Sequence, residues 1–127
     1  MINSNKIICA LDFNDLSKAI SFVASIQHDI VYKVGMEFFF NFGLEGIQKL
    51  KEIKKDIKIF LDLKLHDIPN TVSMGLHPLL KKIEPYMITL HISGGRKMLK
   101  EALNAVNTYS TNFNKPIVLG VTVLTSL

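Results

Sequence analysis

The segment Phe60-Leu61-Asp62-Leu63-Lys64-Leu65-His66-Asp67-Ile68-Pro69-Asn70-Thr71 begins as an apolar strand and then gathers ionisable side chains. Its first part is nearly continuous in apolar character, which is typical of a parallel strand covered by helices on both faces. Asp62, Lys64, His66 and Asp67 lie toward the carboxyl end of this strand, where catalytic groups gather in α/β folds. The segment therefore predicts a buried parallel strand that carries a functional site at its end.

Similar short apolar runs recur on both sides of this segment, and a stretch with helical spacing follows each of the first four. The predicted strands are Lys6–Asp12, Ile30–Val34, Ile57–Leu63, Tyr86–Ile92 and Pro116–Val123, and the predicted helices are Asp15–Ile26, Glu37–Ile53, Asn70–Ile83 and Gly95–Val106. Pro78 falls inside the third helix and predicts a kink or break there. A βα series of this kind fits either a doubly wound sheet or a (βα)8 barrel, and spacing alone does not choose between them.

The composition indicates one modest core and excludes several function classes. The chain has 127 residues, 48% of them hydrophobic, and a net charge of +4 from scattered lysines. Nucleic-acid binding is not expected because the basic residues form no concentrated face and Arg96 is the only arginine. A single cysteine, Cys9, predicts a small buried apolar side chain and no internal disulfide. No apolar stretch is long enough for a membrane span, so we expect a soluble cytoplasmic protein.

Asp62 and Lys64 are two residues apart in the predicted strand, so regular alternation would direct both side chains to one face. Each charge loses water among Phe60, Leu61 and Leu63, and each is tolerable only because the other is near. Such a pair fits either a buried ion pair that fixes strand register or a catalytic unit. The two residues alone leave both interpretations open.

The string Asp62-X-Lys64-X-X-Asp67 followed by Ile68-Pro69-Asn70-Thr71 resembles the signature of orotidine 5'-phosphate decarboxylases. The resemblance extends to the ends of the other predicted strands, namely Ala10-Leu11-Asp12, Lys33-Val34-Gly35-Met36-Glu37, His91-Ile92-Ser93-Gly94-Gly95 and Val121-Thr122-Val123-Leu124-Thr125-Ser126. It implies an α/β fold, a partial (βα)8 barrel of parallel strands. Because such barrels take about 250 residues, we expect residues 1–127 to be the N-terminal half of a single decarboxylase domain whose C-terminal half is absent.

The resemblance implies decarboxylation of orotidine 5'-phosphate to uridine 5'-phosphate, a step of de novo pyrimidine biosynthesis, without a cofactor. In the family pattern Lys64 corresponds to the proton donor, and Asp62 lies beside the substrate carboxylate. The carboxylates of Asp62 and of a neighbouring subunit's Asp67 would keep Lys64 charged. Lys33 would pair with Asp62 and touch the ribose.

The same resemblance implies further substrate contacts and a homodimer. Asp12 would bind a ribose hydroxyl, and Thr125 and Ser126 would contact the nucleotide, with Ser126 at the pyrimidine amide edge. Asp67, Ile68 and Thr71 would reach into the neighbouring subunit's site, so the complete site would need two copies.

Two alternatives remain. Metal-dependent sugar-phosphate decarboxylases and aldolases share the Asp-X-Lys-X-X-Asp core, but their metal-binding acidic residue comes near the end of strand 2, where this chain has Lys33. A catalytically inactive truncated fragment is the other, because the family's phosphate-binding arginine and glutamine lie in the half expected to be absent. We expect no metal site, since no cluster of histidines and carboxylates has ligand spacing.

Several other residues have simpler interpretations. His66 is predicted to be a loop or interface histidine, and His91 to order the turn at Ser93-Gly94-Gly95. His28 and His77 lack any partner pattern. The triple Phe38-Phe39-Phe40 is predicted to be core and interface, because it begins a helix that packs on a sheet.

Overall fold

The computed structural model describes residues 6–110 and 115–126, so the ends of the predicted domain 1–127 lie outside the described residues. Within them, strands and helices alternate along the chain in the predicted order. The elements are β1 (Ile8–Ala10), α1 (Leu16–Ser25), β2 (Val31–Val34), α2 (Met36–Ile53), β3 (Lys58–Leu65), α3 (Pro69–Ile83), β4 (Met87–His91), α4 (Arg96–Tyr109) and β5 (Ile117–Val121). A 3₁₀ turn, Ile92–Gly94, connects β4 to α4.

The chain divides after Asp62 into two compact units. In the first unit β1 pairs with β2 and β2 with the first part of β3, and both pairings are parallel. In the second unit β4 pairs with β5, also in parallel, with Met87 opposite Ile117. The nearly continuous apolar runs thus predicted the strand direction correctly.

The core of the first unit lies between its strands and the two helices that follow them. Asp15 caps α1 by accepting a hydrogen bond of 3.3 Å from the Lys18 N–H. This bond satisfies one of the first-turn N–H groups that have no partner within the helix. The largest fully buried side chains of this unit are Leu11, Val23, Tyr32, Phe38, Ile47, Leu50 and Ile59. Phe38 is thus core as predicted, whereas Phe40 is 76% exposed.

Helix α3 has no break at Pro78, where a kink or break was predicted, and an unpredicted interruption occurs in α2. Pro78 and Met74, the residue four positions earlier, are both exposed, so water can bind the carbonyl group that loses its helical partner. In α2, Gly43 has φ 60° and ψ −154°, a conformation that glycine adopts at little cost because it has no Cβ atom.

Helices α3 and α4 supply the core of the second unit together with β4. Their buried residues are Val72, Leu76, Leu80 and Ile83 on α3, and Met98, Ala102, Ala105 and Val106 on α4. At one end of this contact the His77 and Tyr109 rings stack, with centroids 3.8 Å apart and planes at 17°. No partner pattern in the sequence predicted this ring contact of His77.

Strands β1 and β5 are less buried than their apolar sequences predicted. Ile8 in β1 is 46% exposed and Ile117 in β5 is 47% exposed. Cys9 is partly exposed and is not the buried apolar side chain that was expected. The apolar run around Cys9 forms a strand of three residues only. None of the helices in the described part of the chain is long and apolar enough to cross a membrane.

Two helical glycines are expected to respond in opposite directions to alanine. A Cβ atom on Gly46 would lie 2.5 Å from the Phe42 Cβ, so Gly46→Ala forces a backbone shift and should lower the free energy of unfolding by about 1–3 kcal/mol. A Cβ atom on Gly75 in α3 would lie in open space, so Gly75→Ala should raise the free energy of unfolding by up to about 1 kcal/mol. Urea unfolding of the two variants tests this, and equal shifts of one sign would contradict the packing described for Gly46.

Tyr32 in β2 is completely buried, and its hydroxyl has no hydrogen-bond partner among the described residues. The Lys54 ammonium lies 5.9 Å from the centre of the Tyr32 ring while it donates a 2.6 Å hydrogen bond to the Ile26 carbonyl. Burial raises the pKa of Tyr32 above its ordinary value of 10.0, and the charges of Cys9 and Asp29 add to the increase. The neutral phenol is therefore the form that the fold favours.

Tyr32→Phe is expected to change how stability depends on pH. Because folding raises the pKa of Tyr32, the contribution of its neutral hydroxyl to folding stability is fully present below pH 10.0, the ordinary pKa. That contribution is lost as the pH rises through the folded-state pKa. The phenylalanine variant should unfold at the same or a higher temperature near neutral pH, and its advantage should grow above pH 10.0. Thermal unfolding at a series of pH values measures this, and a difference that stays constant across the series would show that folding does not raise the pKa of Tyr32.

Candidate active site

Asp62 is a buried carboxylate within strand β3. The strand continues to Leu65, two residues beyond the predicted end at Leu63, so Asp62 and Lys64 both lie inside it. Asp62 is 7% exposed, and Phe60 and Leu61 before it are also buried. A charged group in such a position has to be paired or hydrogen-bonded, because its transfer from water is costly.

Lys33 from β2 provides a partner for this carboxylate. Its Nζ atom lies 3.2 Å from Asp62 Oδ2, with the lysine side chain 30% and the aspartate side chain 8% exposed. The parallel register places Lys33 opposite Phe60, two residues before Asp62, so the lysine reaches forward along the neighbouring strand. This is the contact that the family resemblance implied for the two residues.

Asp12 lies near the same end of the first unit. A Cβ atom built on Gly35 would lie 3.8 Å from Asp12 Oδ1 and 4.0 Å from the Asp62 carbonyl oxygen. Gly35 is the residue that precedes the first turn of α2. The Asp12 carboxylate, the Asp62 backbone and the start of α2 are therefore close together, and Asp12 itself is exposed.

Lys64 has an unusual backbone. Its φ angle is 48°, in the left-handed region that residues with a Cβ atom seldom occupy. Its N–H donates a hydrogen bond of 2.9 Å to Thr89 Oγ1 in β4. Because Lys64 departs from extended geometry, regular strand alternation does not determine where its side chain points, and the single face predicted for Asp62 and Lys64 stays a prediction.

The residues after β3 form an exposed segment that leads into α3. Asp67 Oδ1 accepts a hydrogen bond of 2.7 Å from the Ile68 N–H, and Pro69 occupies the first helical position. Asp67 and Thr71 are exposed, and Ile68 is 65% exposed. An open cleft of about 530 Å³ is lined by His66, Asp67, Ile68, Pro69, Ser93 and Gly94.

His66, which lines this cleft, lies beside a second histidine, His91. The ring centroids of His66 and His91 are 5.2 Å apart, and His91 Nδ1 is buried without a partner among the described residues. Gly94 packs closely here, since a Cβ atom on it would lie 2.2 Å from Met98 Sδ and 3.4 Å from His66 Cδ2. The predicted role of His91 in ordering the following turn stays a prediction.

Thr125 and Ser126 lie in an exposed turn after β5, and their contact with a nucleotide stays a prediction.

No group of three His, Cys, Asp or Glu residues in the described ranges is placed to hold a metal ion. Thr89 was not predicted as a site residue, although a single hydroxyl inside the apolar run Met87-Ile88-Thr89-Leu90 indicates a buried polar group that needs a partner.

The chain matches known proteins over almost its whole length. The family model described as "Orotidine 5'-phosphate decarboxylase / HUMPS family" matches residues 5–127. The orotidine 5'-phosphate decarboxylase of Wolbachia pipientis subsp. Culex pipiens is 47% identical over 97% of this chain and 51% of that protein. The decarboxylase of Carboxydothermus hydrogenoformans is 44% identical over 98% of this chain and 51% of its own length. The chain thus spans about half the length of the curated relatives it matches.

Solved structures agree with this similarity. The orotidine 5'-phosphate decarboxylase of Lactobacillus acidophilus superposes with a TM-score of 0.83 and 39% identity, over 94% of this chain and 54% of that one. A Methanocaldococcus jannaschii orotidine 5'-monophosphate decarboxylase in complex with the inhibitor BMP superposes with a TM-score of 0.77 and 26% identity, over 94% and 52% of the two chains. Together with the parallel strands and alternating helices, these likenesses confirm the predicted α/β fold, a partial (βα)8 barrel.

Proposed function

We propose that this chain, which belongs to the orotidine 5'-phosphate decarboxylase / HUMPS family, supplies the catalytic lysine and carboxylates of an enzyme that converts orotidine 5'-phosphate to uridine 5'-phosphate. The observation that carries the proposal is the buried Asp62 carboxylate, held 3.2 Å from Lys33 Nζ and two residues before Lys64 in the same strand. This reaction would place the protein in pyrimidine biosynthesis, in the cytoplasm.

Lys64 is the proposed proton donor. When the bond between C6 and the carboxylate breaks, carbon dioxide leaves and its electron pair stays on C6 in an orbital that lies in the plane of the ring. The ring cannot delocalise that pair, so a cation beside C6 has to stabilise it. The Lys64 ammonium can do so and can then give its proton to C6, which completes the product without a cofactor.

Asp62 and Lys33 would provide fixed charges around this lysine. A carboxylate that is largely removed from water interacts strongly with cations on either side of it, and it favours the charged form of a nearby lysine. The Lys33 contact supports this arrangement because it holds the buried carboxylate in one position. In metal-dependent relatives, a metal-binding acidic residue occupies the place of Lys33, so the ion pair favours the metal-free reaction.

Asp12, Thr125 and Ser126 would bind the nucleotide. All three are exposed, so they are available to a substrate. The Asp12 carboxylate near the start of α2 suits a ribose hydroxyl, which donates a hydrogen bond to an ionised oxygen. The hydroxyls of Thr125 and Ser126 suit the amide edge of a pyrimidine because each can both donate and accept.

The complete site would form in a homodimer. Asp67, Ile68 and Thr71 are exposed, which leaves them free to reach a second copy. Asp67 and Ile68 also line the cleft that follows β3. Ile68 is 65% exposed, and covering this apolar side chain with a partner surface would stabilise the dimer. The geometry of the segment after β3 therefore supports an interface role for these residues.

The proposed reaction can be tested through its product. Orotidine 5'-phosphate is incubated in deuterium oxide with the chain alone, and with the chain plus a separately expressed C-terminal half of the Wolbachia pipientis relative. The proposal predicts uridine 5'-phosphate with one deuterium at C6, because the proton delivered by Lys64 exchanges with solvent. If neither mixture consumes the substrate although both proteins are folded, the proposed function is wrong.

A further inference from the structure

The left-handed backbone of Lys64 has to be held in place by its surroundings. At φ 48° the Cβ atom of a lysine is crowded against its own backbone. Lys64 also lies inside a strand, where extended backbone is the regular geometry. Residues in such sparsely populated conformations cluster at functional sites, where the structure around them over-determines the backbone. Lys64 therefore needs a specific contact that favours this conformation over the extended one.

Thr89 supplies such a contact. Its Oγ1 accepts the 2.9 Å hydrogen bond from the Lys64 N–H, and the residue is only 5% exposed. Apart from Tyr32, the buried residues with polar or charged side chains that the structure describes are Asp62 and Thr89. Asp62 is close to Lys64 in sequence, and Thr89 is joined to it by the hydrogen bond. A buried hydroxyl in an otherwise apolar strand is costly unless it is used.

The strand around Thr89 is well suited to hold a fixed hydroxyl. Ile88 and Leu90 on either side are each 1% exposed, and Thr89 pairs with Leu119 in the parallel ladder. The branched Cβ atom restricts the side chain to few rotamers. The Oγ1 atom is therefore held by a packed strand at a defined distance from the Lys64 backbone.

We infer that Thr89 is a positioning residue for the proposed decarboxylation. Its hydroxyl holds the Lys64 backbone in the left-handed conformation, and this conformation determines from where the ammonium group approaches the reacting carbon. The inference rests on the proposed function of Lys64. Thr89 itself acts through Lys64 and is not assigned a contact with the substrate.

Two substitutions separate the hydroxyl from the shape of the side chain. Thr89→Val keeps the branched shape and removes the acceptor, whereas Thr89→Ser keeps the acceptor. Because a displacement of about 1 Å can cost about 100-fold in rate, Thr89→Val should lower kcat by about 10- to 100-fold and leave KM within about twofold. Thr89→Ser should stay within about threefold of the unchanged protein in both constants. Thr89→Ala, which also lacks the acceptor, is measured if the valine variant does not fold.

A second measurement does not depend on turnover. Nuclear magnetic resonance of protein with labelled lysine reports the amide exchange rate of Lys64 and the resonances of its ε-methylene group. Thr89→Val should speed the amide exchange and shift the ε-methylene signals, while Thr89→Ser should leave both near their original values. Lys33 serves as the internal reference, because its contact with Asp62 does not involve Thr89.

The outcomes distinguish this inference from the proposed function. If Lys64→Ala is inactive while Thr89→Val retains full kcat and undisturbed Lys64 signals, the positioning inference is overturned and the proposed function stands. Equal losses in Thr89→Val and Thr89→Ser would also overturn it, because the hydroxyl would then be irrelevant. If the Lys64 signals move only in the valine variant while no protein shows turnover, the positioning of Lys64 stands and the proposed function fails.

Discussion

Lys64→Ala is expected to lower the rate of orotidine 5'-phosphate decarboxylation by about 10⁴-fold, the largest effect of any single substitution in the chain. The estimate combines the loss of a positioned proton donor, about 10²- to 10⁴-fold, with the loss of a fixed charge, about 10²- to 10³-fold. The two contributions overlap because one ammonium group makes both. Initial rates from the loss of orotate absorbance give the comparison, in the assembly that shows turnover.

An exposed lysine provides the control for this experiment. Lys81 lies in the last turn of α3 and is exposed, so Lys81→Ala removes the same charge and the same side chain at the end of α3 opposite to the segment that follows β3. It should change the rate by less than about twofold, since surface charges are largely screened. A Lys64→Ala protein that keeps a tenth or more of the rate would show that another group delivers the proton.

Asp62→Asn is expected to reduce both activity and stability. The amide keeps the shape of the side chain but removes the charge that pairs with Lys33 at 3.2 Å. We expect the rate to fall by about 10²- to 10³-fold, since a preorganised charge is lost from the site. The free energy of unfolding should fall by about 1–3 kcal/mol, because the lysine loses a charge-assisted bond in a largely buried place.

The pair formed by Asp29 and Lys58 offers a matched control in the same unit. It also joins a lysine and an aspartate separated by 29 residues, but the Asp29 side chain is 61% exposed. Asp29→Asn should therefore change the free energy of unfolding by about 0–1 kcal/mol and leave the rate unaltered. Urea unfolding and initial rates of both variants decide the point. Equal destabilisation by the two substitutions would mean that the burial of Asp62 has no energetic consequence.

The sequence predicted the order of strands and helices because apolar periodicity is a property of each segment by itself. It also placed Lys33 with Asp62 through the motif resemblance, and the two side chains are in contact. The ends of elements were less accurate, as with β3, which continues past Leu63 to Leu65. Whether polar residues continue a strand depends on bonds to the next strand, and these are not visible in the local pattern.

Backbone exceptions could not be predicted from the sequence. Gly43 fits the helical spacing of α2, and nothing in that spacing distinguishes a helical glycine from one at φ 60°. The backbone of Lys64 was even less predictable, because the apolar run around this lysine predicts an extended strand and its φ angle is 48°. Its partner Thr89 lies 25 residues later in the chain. Only the fold brings that hydroxyl to the Lys64 N–H.

Exposure was the other property that local patterns misjudged. Cys9 and Ile8 lie in an apolar run that predicts burial, yet both are at least partly exposed. Pro78 shows the reverse, since a residue expected to break a helix is accommodated on an exposed face. In each case the outcome depends on what covers the segment, and this is a property of the tertiary structure.

The catalytic role of Lys64 is measured most directly by the turnover of orotidine 5'-phosphate by this chain together with the C-terminal half of the Wolbachia pipientis relative. We expect loss of orotate absorbance and formation of uridine 5'-phosphate in the mixture, and no reaction when Lys64→Ala replaces the unchanged chain. A mixture that is folded and associated but inactive, or one that is equally active with Lys64→Ala, would contradict the assignment of Lys64 as the catalytic group.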